Sequence, residues 1–256
     1  MILSTLLTSS VGAASSWSPA NNIASTDEVY SMSCIGTSFC VAGDDSGNVY
    51  IYNGSSWSSA DDIAGNDEVA SMSCIGTSFC VAGDDSGNVY KYDGSSWSAA
   101  DDIAGNDEVF SMSCTSTSFC VAGDDSGNVY KYDGSSWSAA DDIAGNDEVF
   151  SMSCTSTSFC AAGDDSGNVY IYDGSSWSAA DDIAGSDQVL SMSCTSTSFC
   201  VAGDDSGNVY TYSSAIITSH SATAPTTKVT SPPITRPLTT SPPTTAVATQ
   251  IPPGTP

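Results

Sequence analysis

Positive charge is almost missing from this chain. Of 256 residues only 4 are Lys or Arg, against 30 Asp and Glu, for a formal charge of −26. A surface of that sign repels phosphate backbones and anionic headgroups, so nucleic acid is excluded as an expected partner. Histidine is nearly absent as well. The single one, His220, sits in a Ser/Thr/Pro-rich stretch where nothing packs to orient it, so histidine-based acid–base chemistry has no site. No run of about 18 apolar residues occurs, which excludes an inserted membrane helix from the expectation. Proline is missing from most of the chain: nine of the ten lie beyond Ser214.

What is present is a repeat. Trp17, Trp57, Trp97, Trp137 and Trp177 are spaced by 40 residues, as are Tyr50, Tyr90, Tyr130, Tyr170 and Tyr210. A fixed period of this length marks an array of supersecondary units. The third copy reads SSWSAADDIAGNDEVFSMSCTSTSFCVAGDDSGNVYKYDG. Five such units occupy residues 15–213. Residues 1–14, mildly apolar and ending in small residues, read as a signal peptide or leader, although no basic residue precedes them; a misplaced start codon is the alternative. Residues 214–256 cannot bury a core and read as a Ser/Thr/Pro-rich linker or stalk.

Within the unit, short β-type runs alternate with turn residues. Val109–Cys114 predicts one strand and Phe119–Gly123 a second. After the Asp-Ser-Gly-Asn turn, Val129–Tyr132 predicts a third, and Asp133-Gly134 suits the tight hairpin that follows. The run around Trp137 predicts the fourth. Four short antiparallel strands per unit is the layout of a propeller blade, so the expected fold is all-β, a five-bladed β-propeller of four-stranded antiparallel blades. The chain starts on the Trp strand of one unit and stops on the third strand of the last. That phase predicts ring closure by the N-terminal Trp strand, with an open row of hairpins as the alternative. A monomer is expected.

The stretch SFCVAGDDSGNVYKYDGSSW resembles the strand–turn–strand of several propeller families. It is similar to the quinoprotein-type repeat and to the Asp-box hairpin of sialidase-like propellers, with Asp125, Gly127 and Tyr130 matching and Gly123 standing where the Asp box prefers Ser. It most resembles secreted bacterial propeller-like repeats with an SxSCxSxSFCVA…G…Y…W pattern. The resemblance covers all five units and implies an extracellular propeller. It implies no enzyme activity.

Ten cysteines fall into five C-x5-C pairs: Cys34/Cys40, Cys74/Cys80, Cys114/Cys120, Cys154/Cys160 and Cys194/Cys200. Zinc sites favour closer pairs with two further ligands nearby. Structural disulfides across the hairpins are therefore expected, each contributing about 2 kcal/mol by loop closure, and they imply an oxidising compartment. The carboxylates recur in two clusters. One comprises the turn pairs Asp44-Asp45, Asp84-Asp85, Asp124-Asp125, Asp164-Asp165 and Asp204-Asp205. The other, Asp101-Asp102…Asp107-Glu108 and its equivalents, is expected in the loop to the next blade. Paired carboxylates suit calcium, so the turn pairs are candidate metal ligands. Local turn-capping through side-chain-to-backbone bonds is the alternative, and adaptation to high salt is a third reading. Neither cluster fits an EF-hand.

Tyr52, Tyr92, Tyr132, Tyr172 and Tyr212 stand near a hairpin rim beside an Asp or Asn, a pairing suited to stacking and hydrogen-bonding a sugar. They are the candidate ligand-binding residues. Near-identical units give equivalent settings, not the asymmetric pair that acid–base catalysis needs, so no catalytic residue and no enzyme is expected. The reading is a secreted or cell-surface binding or adhesion module with multivalent sites for carbohydrate or protein, calcium being the one candidate cofactor. Alternatives are a structural repeat protein of wall or matrix, and a propeller hydrolase or quinoprotein-like oxidoreductase.

Overall fold

The structure, a computed structural model, describes residues 17–214. The leader at 1–14, His220 and nearly all of the Ser/Thr/Pro-rich tail lie outside the described residues. Among the described residues nineteen strands form five sheets, each in sequence order and antiparallel. The first holds β1 (Val29–Ile35), β2 (Phe39–Asp44), β3 (Asn48–Tyr52) and β4 (Asp61–Asp62). The second holds β5 (Ser71–Gly76), β6 (Phe79–Gly83), β7 (Asn88–Tyr92) and β8 (Asp101–Asp102). The third holds β9 (Ser111–Ser116), β10 (Phe119–Gly123), β11 (Asn128–Tyr132) and β12 (Asp141–Asp142). In the fourth are β13 (Ser151–Ser156), β14 (Phe159–Gly163), β15 (Asn168–Tyr172) and β16 (Asp181–Asp182). The fifth holds three strands among the described residues, β17 (Ser191–Ser196), β18 (Phe199–Gly203) and β19 (Val209–Ser213).

The third sheet shows why the sequence folds this way. Its β10–β11 turn is built on Asp124, which is fully buried. The carboxylate accepts from the Ser126 amide (3.0 Å), the Asn128 amide (2.8 Å), Asn128 Nδ2 (2.9 Å) and the Tyr130 hydroxyl (2.8 Å). A buried carboxylate costs several kcal/mol unless its lone pairs are filled in this manner. Gly127 completes the turn at φ 82°, a conformation L side chains avoid. The fourth strand differs from expectation. Asp141-Asp142, expected in a loop, pairs with Val129 and Asn128, whereas Trp137 makes only an isolated bridge to Tyr132.

The first and second strands of every sheet are joined by a disulfide. The bonds are Cys34–Cys40, Cys74–Cys80, Cys114–Cys120, Cys154–Cys160 and Cys194–Cys200, and in each the two cysteines lie directly opposite one another. The expected pairing therefore holds, but its expected role, a staple across a hairpin, is too narrow. Cys80, Cys120, Cys160 and Cys200 are buried and pack among residues of the preceding blade: Cys80 with Val41 and Val49, Cys160 with Val121 and Val129. The bond is thus part of the core between blades. Cys40 departs from this pattern. It has no preceding blade among the described residues and stays half-buried.

Successive sheets pack through their innermost strands, β1 on β5, β5 on β9, β9 on β13 and β13 on β17. The second strands also touch the next blade, and the third strands reach it through side chains, as where Lys91 Nζ donates to the Tyr132 hydroxyl at 3.3 Å. The blades therefore splay outward from a common inner edge. Each joint is a knob in a socket. Val149, fully buried, comes so close to Gly123 that a Cβ there would lie 2.6 Å from Val149 Cγ1. Ser111 donates its hydroxyl to the Val149 carbonyl at 2.7 Å, and the Cys154 amide donates to Ser113 Oγ at 2.9 Å. The same set recurs at each of the four joints.

The expected closure of the ring by the N-terminal Trp strand is not seen among the described residues. Trp17 is 100% exposed, and nothing among the described residues adds a fourth strand beside β19. No packing comparable to the four internal joints connects β17 to β1. Among the described residues the five blades form an arc with four joints.

Candidate functional site

One rim of the arc, where the innermost strands begin and the second strands end, gathers like charges. Glu28, Glu68, Glu108 and Glu148 precede the knob valines, and the second Asp of each turn pair stands beside them. The Asp125 amide donates to the Glu108 carbonyl at 3.1 Å, and the Asp85 and Asp165 amides bind Glu68 and Glu148 in the same way. Because the period places the same residue on every blade, the carboxylates form a ladder across the joints. Burial, then the charges of Glu68, Asp85, Asp125 and Glu148, push Glu108 up to about 7. Glu68 is raised by burial and by Asp85, Asp45 and Glu28, and Glu148 by burial, Asp165 and Asp125. Burial likewise raises Asp85, Asp125 and Asp165, against the hydrogen bonds they accept.

Beside the ladder stands the position that varies most between copies, holding Tyr30, Ala70, Phe110, Phe150 and Leu190. The Phe110 and Phe150 rings meet across a joint at 5.1 Å, while Tyr30 and Leu190 at the two ends are exposed. The Glu68 and Glu28 carboxylates raise the Tyr30 hydroxyl. This combination of an acidic ladder and a variable apolar strip escapes a reading of the sequence alone. The signal available is variability at one position of an otherwise near-uniform repeat.

The turn pairs divide in two. Asp44, Asp84, Asp124 and Asp164 are fully buried, and their oxygens are taken up by the turn amides, Asn and Tyr. Asp204 makes the same bonds at the arc's end. There burial opposes ionisation, but Asn208, Tyr210 and Ser206 outweigh it and hold the carboxyl at about 2. These residues cap turns. Their partners Asp45, Asp85, Asp125, Asp165 and Asp205 face the rim instead. Among the described residues no group of His, Cys, Asp and Glu converges as a metal site.

Three rings of the expected tyrosine platform are packed into the fold. Tyr92, Tyr132 and Tyr172 are buried, each covered by the Trp five residues on, with ring centroids 5.3–5.4 Å apart. Tyr52 is covered by Trp57 in the same way. From the preceding blade Phe119 stacks on Tyr172, and Lys131 Nζ sits 4.9 Å above that ring. The Tyr92, Tyr132 and Tyr172 rings are thus taken up by packing. Tyr212 leans on Phe159 of the preceding blade but keeps partial exposure, having no Trp over it among the described residues. A cavity of about 410 Å³ opens between the last two blades, lined by Ala161, Val169, Ile171, Met192, Tyr210 and Tyr212 among others.

No known family profile matches the chain, and no curated protein matches it by sequence. Solved structures do. The computationally designed Ika8 protein aligns at TM-score 0.61 and 16% identity, over 73% of this chain and 58% of that one. The WD40 β-propeller domain of Doa1 aligns at 0.60 and 11% identity, over 73% and 66%. BBS1N, solved in complex with ARL6DN, aligns at 0.57 and 13%, over 75% and 68%. The chain folds as a β-propeller. The chain spans about 58% of Ika8 and 66% of the Doa1 propeller. At these identities the likeness is one of fold. The five disulfides belong to an oxidising environment.

Proposed function

We propose that this propeller is a non-catalytic, secreted or cell-surface binding module that holds a cationic partner, a Lys- or Arg-rich protein segment, on its acidic rim. The observation that carries the reading is the carboxylate ladder with Glu108 pushed up to about 7. Mutual repulsion is what a bound positive charge relieves, and a partner that neutralises several rungs gains from each. The two lysines of the repeats leave the ladder unpaired, since each is engaged by a neighbouring tyrosine, Lys91 by Tyr132 and Lys131 by Tyr172. Phe110, Phe150 and Tyr30 add apolar and cation–π surface beside the charges. BBS1N, of the same fold, was solved with a protein partner. The extracellular setting rests on the disulfides. A calcium-assisted, carbohydrate-binding version would use the same ladder, with Tyr30 in place of the covered tyrosines.

The test is fluorescence anisotropy with a labelled oligolysine peptide, a neutral peptide of equal length and an acidic one. Binding of the basic peptide alone, weakened by salt and by Glu108→Gln, is the expected result. Equal binding of all three, or none at low ionic strength, would overturn the proposal. Competition by calcium and by neutral glycans in the same assay separates the calcium and sugar versions.

A further inference from the structure

Each blade carries a knob for the blade before it and a socket for the blade after it. Four knobs, Val69, Val109, Val149 and Val189, are fully buried. The fifth, Val29 at the head of the arc, is 43% exposed. Four sockets are filled: at Gly43, Gly83, Gly123 and Gly163 an added Cβ would meet the knob at 2.5–2.6 Å. At Gly203, the fifth, it would meet no neighbouring blade, only Ser191 Oγ at 2.9 Å and the Asn208 carbonyl at 3.8 Å. A cavity of about 210 Å³ marks this open socket, lined by Ser191, Ser193, Gly203 and Val209 among others.

The remaining parts of the joint are split between the two ends in the same way. Ser31, Ser71, Ser111 and Ser151 each donate to a knob carbonyl, leaving Ser191 as the one without a knob. Ser33, Ser73, Ser113 and Ser153 each accept the amide of the next blade's first cysteine, leaving Ser193 and the Cys34 amide as the spare halves. The half-buried Cys40 likewise lacks the preceding blade that covers Cys80, Cys120 and Cys160. The last sheet lacks a fourth strand among the described residues, whereas Trp17–Asn22 is the copy of Trp57–Asp62, which supplies one to the first sheet. Trp17 is bare where Trp57 covers Tyr52, and Tyr212 at the far end has no Trp over it among the described residues.

Acidic positions of the repeat are neutralised at these two surfaces. Asn21-Asn22 stands where the other four copies have Asp-Asp, and Gln188 where they have Glu. The meeting of head and tail therefore escapes part of the repulsion present at the internal joints.

The geometry points to a second copy of this chain as the occupant: Val29 of one molecule enters the Gly203 socket of the next, and its Trp17–Asn22 segment completes the last sheet. The interface repeats the joint made four times within the chain. Within one molecule no packing like that of the four joints brings β1 onto β17, and the Gly203 socket meets no neighbouring blade. A head-to-tail joint is heterologous, so it propagates copies instead of stopping at a pair.

Sedimentation velocity of the full chain over a wide concentration range tests this. Wild-type protein is expected to grow in mass with concentration, more readily in added salt, which screens the remaining carboxylates. Val29→Asp spoils every head and Gly203→Val fills every socket, so each alone stays a monomer. Mixed, they have one good head and one good socket between them and form 1:1 dimers. Ser191→Ala, a milder change, lowers the association constant several-fold. Wild-type protein that remains monomeric throughout, as it would with the ring closed on itself, overturns the proposal. So does a mixture that fails to dimerise when both variants keep the wild-type near-ultraviolet circular dichroism.

Discussion

The Tyr130 hydroxyl lies 2.8 Å from Oδ2 of the fully buried Asp124 and donates its hydrogen to it. The bond ties the start of the third strand to the turn that precedes it. Burial first, then this hydrogen bond and the charge of Asp124, raise the tyrosine's pKa. Equivalent pairs stand in all five blades.

Tyr130→Phe keeps the ring and removes one donor from a buried carboxylate. A hydrogen bond to a charged group contributes about 2 kcal/mol, and the expected outcome is a loss of that size in urea denaturation. The matching change at Tyr210, where Asp204 is not fully buried, costs less because water replaces the lost donor. Equal losses at both positions would show that burial does not set the cost.

The carboxylate ladder gives stability an acid optimum. Glu108 has a folded pKa of about 7, above its unfolded value, so the folded state binds the proton more tightly. Stability from this group is fully present below the unfolded value and falls as pH rises through the interval between the two. Asp133 and Asp173 act the other way. Hydrogen bonds from Ser136 and Ser135, and from Ser176 and Ser175, hold them at about 2, so their contribution is present above the ordinary Asp pKa and is lost as pH falls toward 2. The melting temperature should peak near roughly pH 4–6 and fall toward pH 8, less steeply in salt. Glu108→Gln, which copies the natural Gln188, should raise the value at pH 8 and flatten the slope. Calorimetry showing a melting temperature that climbs from pH 5 to 8 would contradict the ladder.

Much of this is legible in the sequence because it is local. Asp124 meets donors two, four and six residues on, and Cys114 faces Cys120 across a short hairpin. Burial of Cys80 and Cys160 between blades is not local, and the six-residue spacing carries no trace of it. The fourth strand falls on Trp137 in a sequence reading because Asp141-Asp142 has poor β-propensity; two paired residues on an outer edge suffice for it. Tyr132 reads as a rim platform although it shares a strand face with Tyr130, two residues before it, and both are buried. The knob and socket is a tertiary contact between repeats. Its one sequence trace is Gly123 at the end of a strand, the sign of a close backbone approach. The charge ladder follows from the period only once the blades are known to stack.

The cavity between the last two blades has a compositional cause. The second strand carries Val41, Val81, Val121 and Val201 in four copies and Ala161 in the remaining one, and Ala161 lines the cavity. The three valines that face a following blade, Val41, Val81 and Val121, are fully buried. Ala161→Val restores two methyl groups in a backbone that already accommodates them elsewhere, so no overpacking is expected. Filling the space should stabilise the protein by about 1 kcal/mol, seen as a higher urea midpoint. In a repeat array stability is shared between neighbouring units, so the gain should appear as slower hydrogen exchange in β14, β15 and β18 and not in β1 or β2. A gain spread evenly over all five blades would mean that the array unfolds as one unit, and a loss would mean that the cavity wall cannot take the added volume.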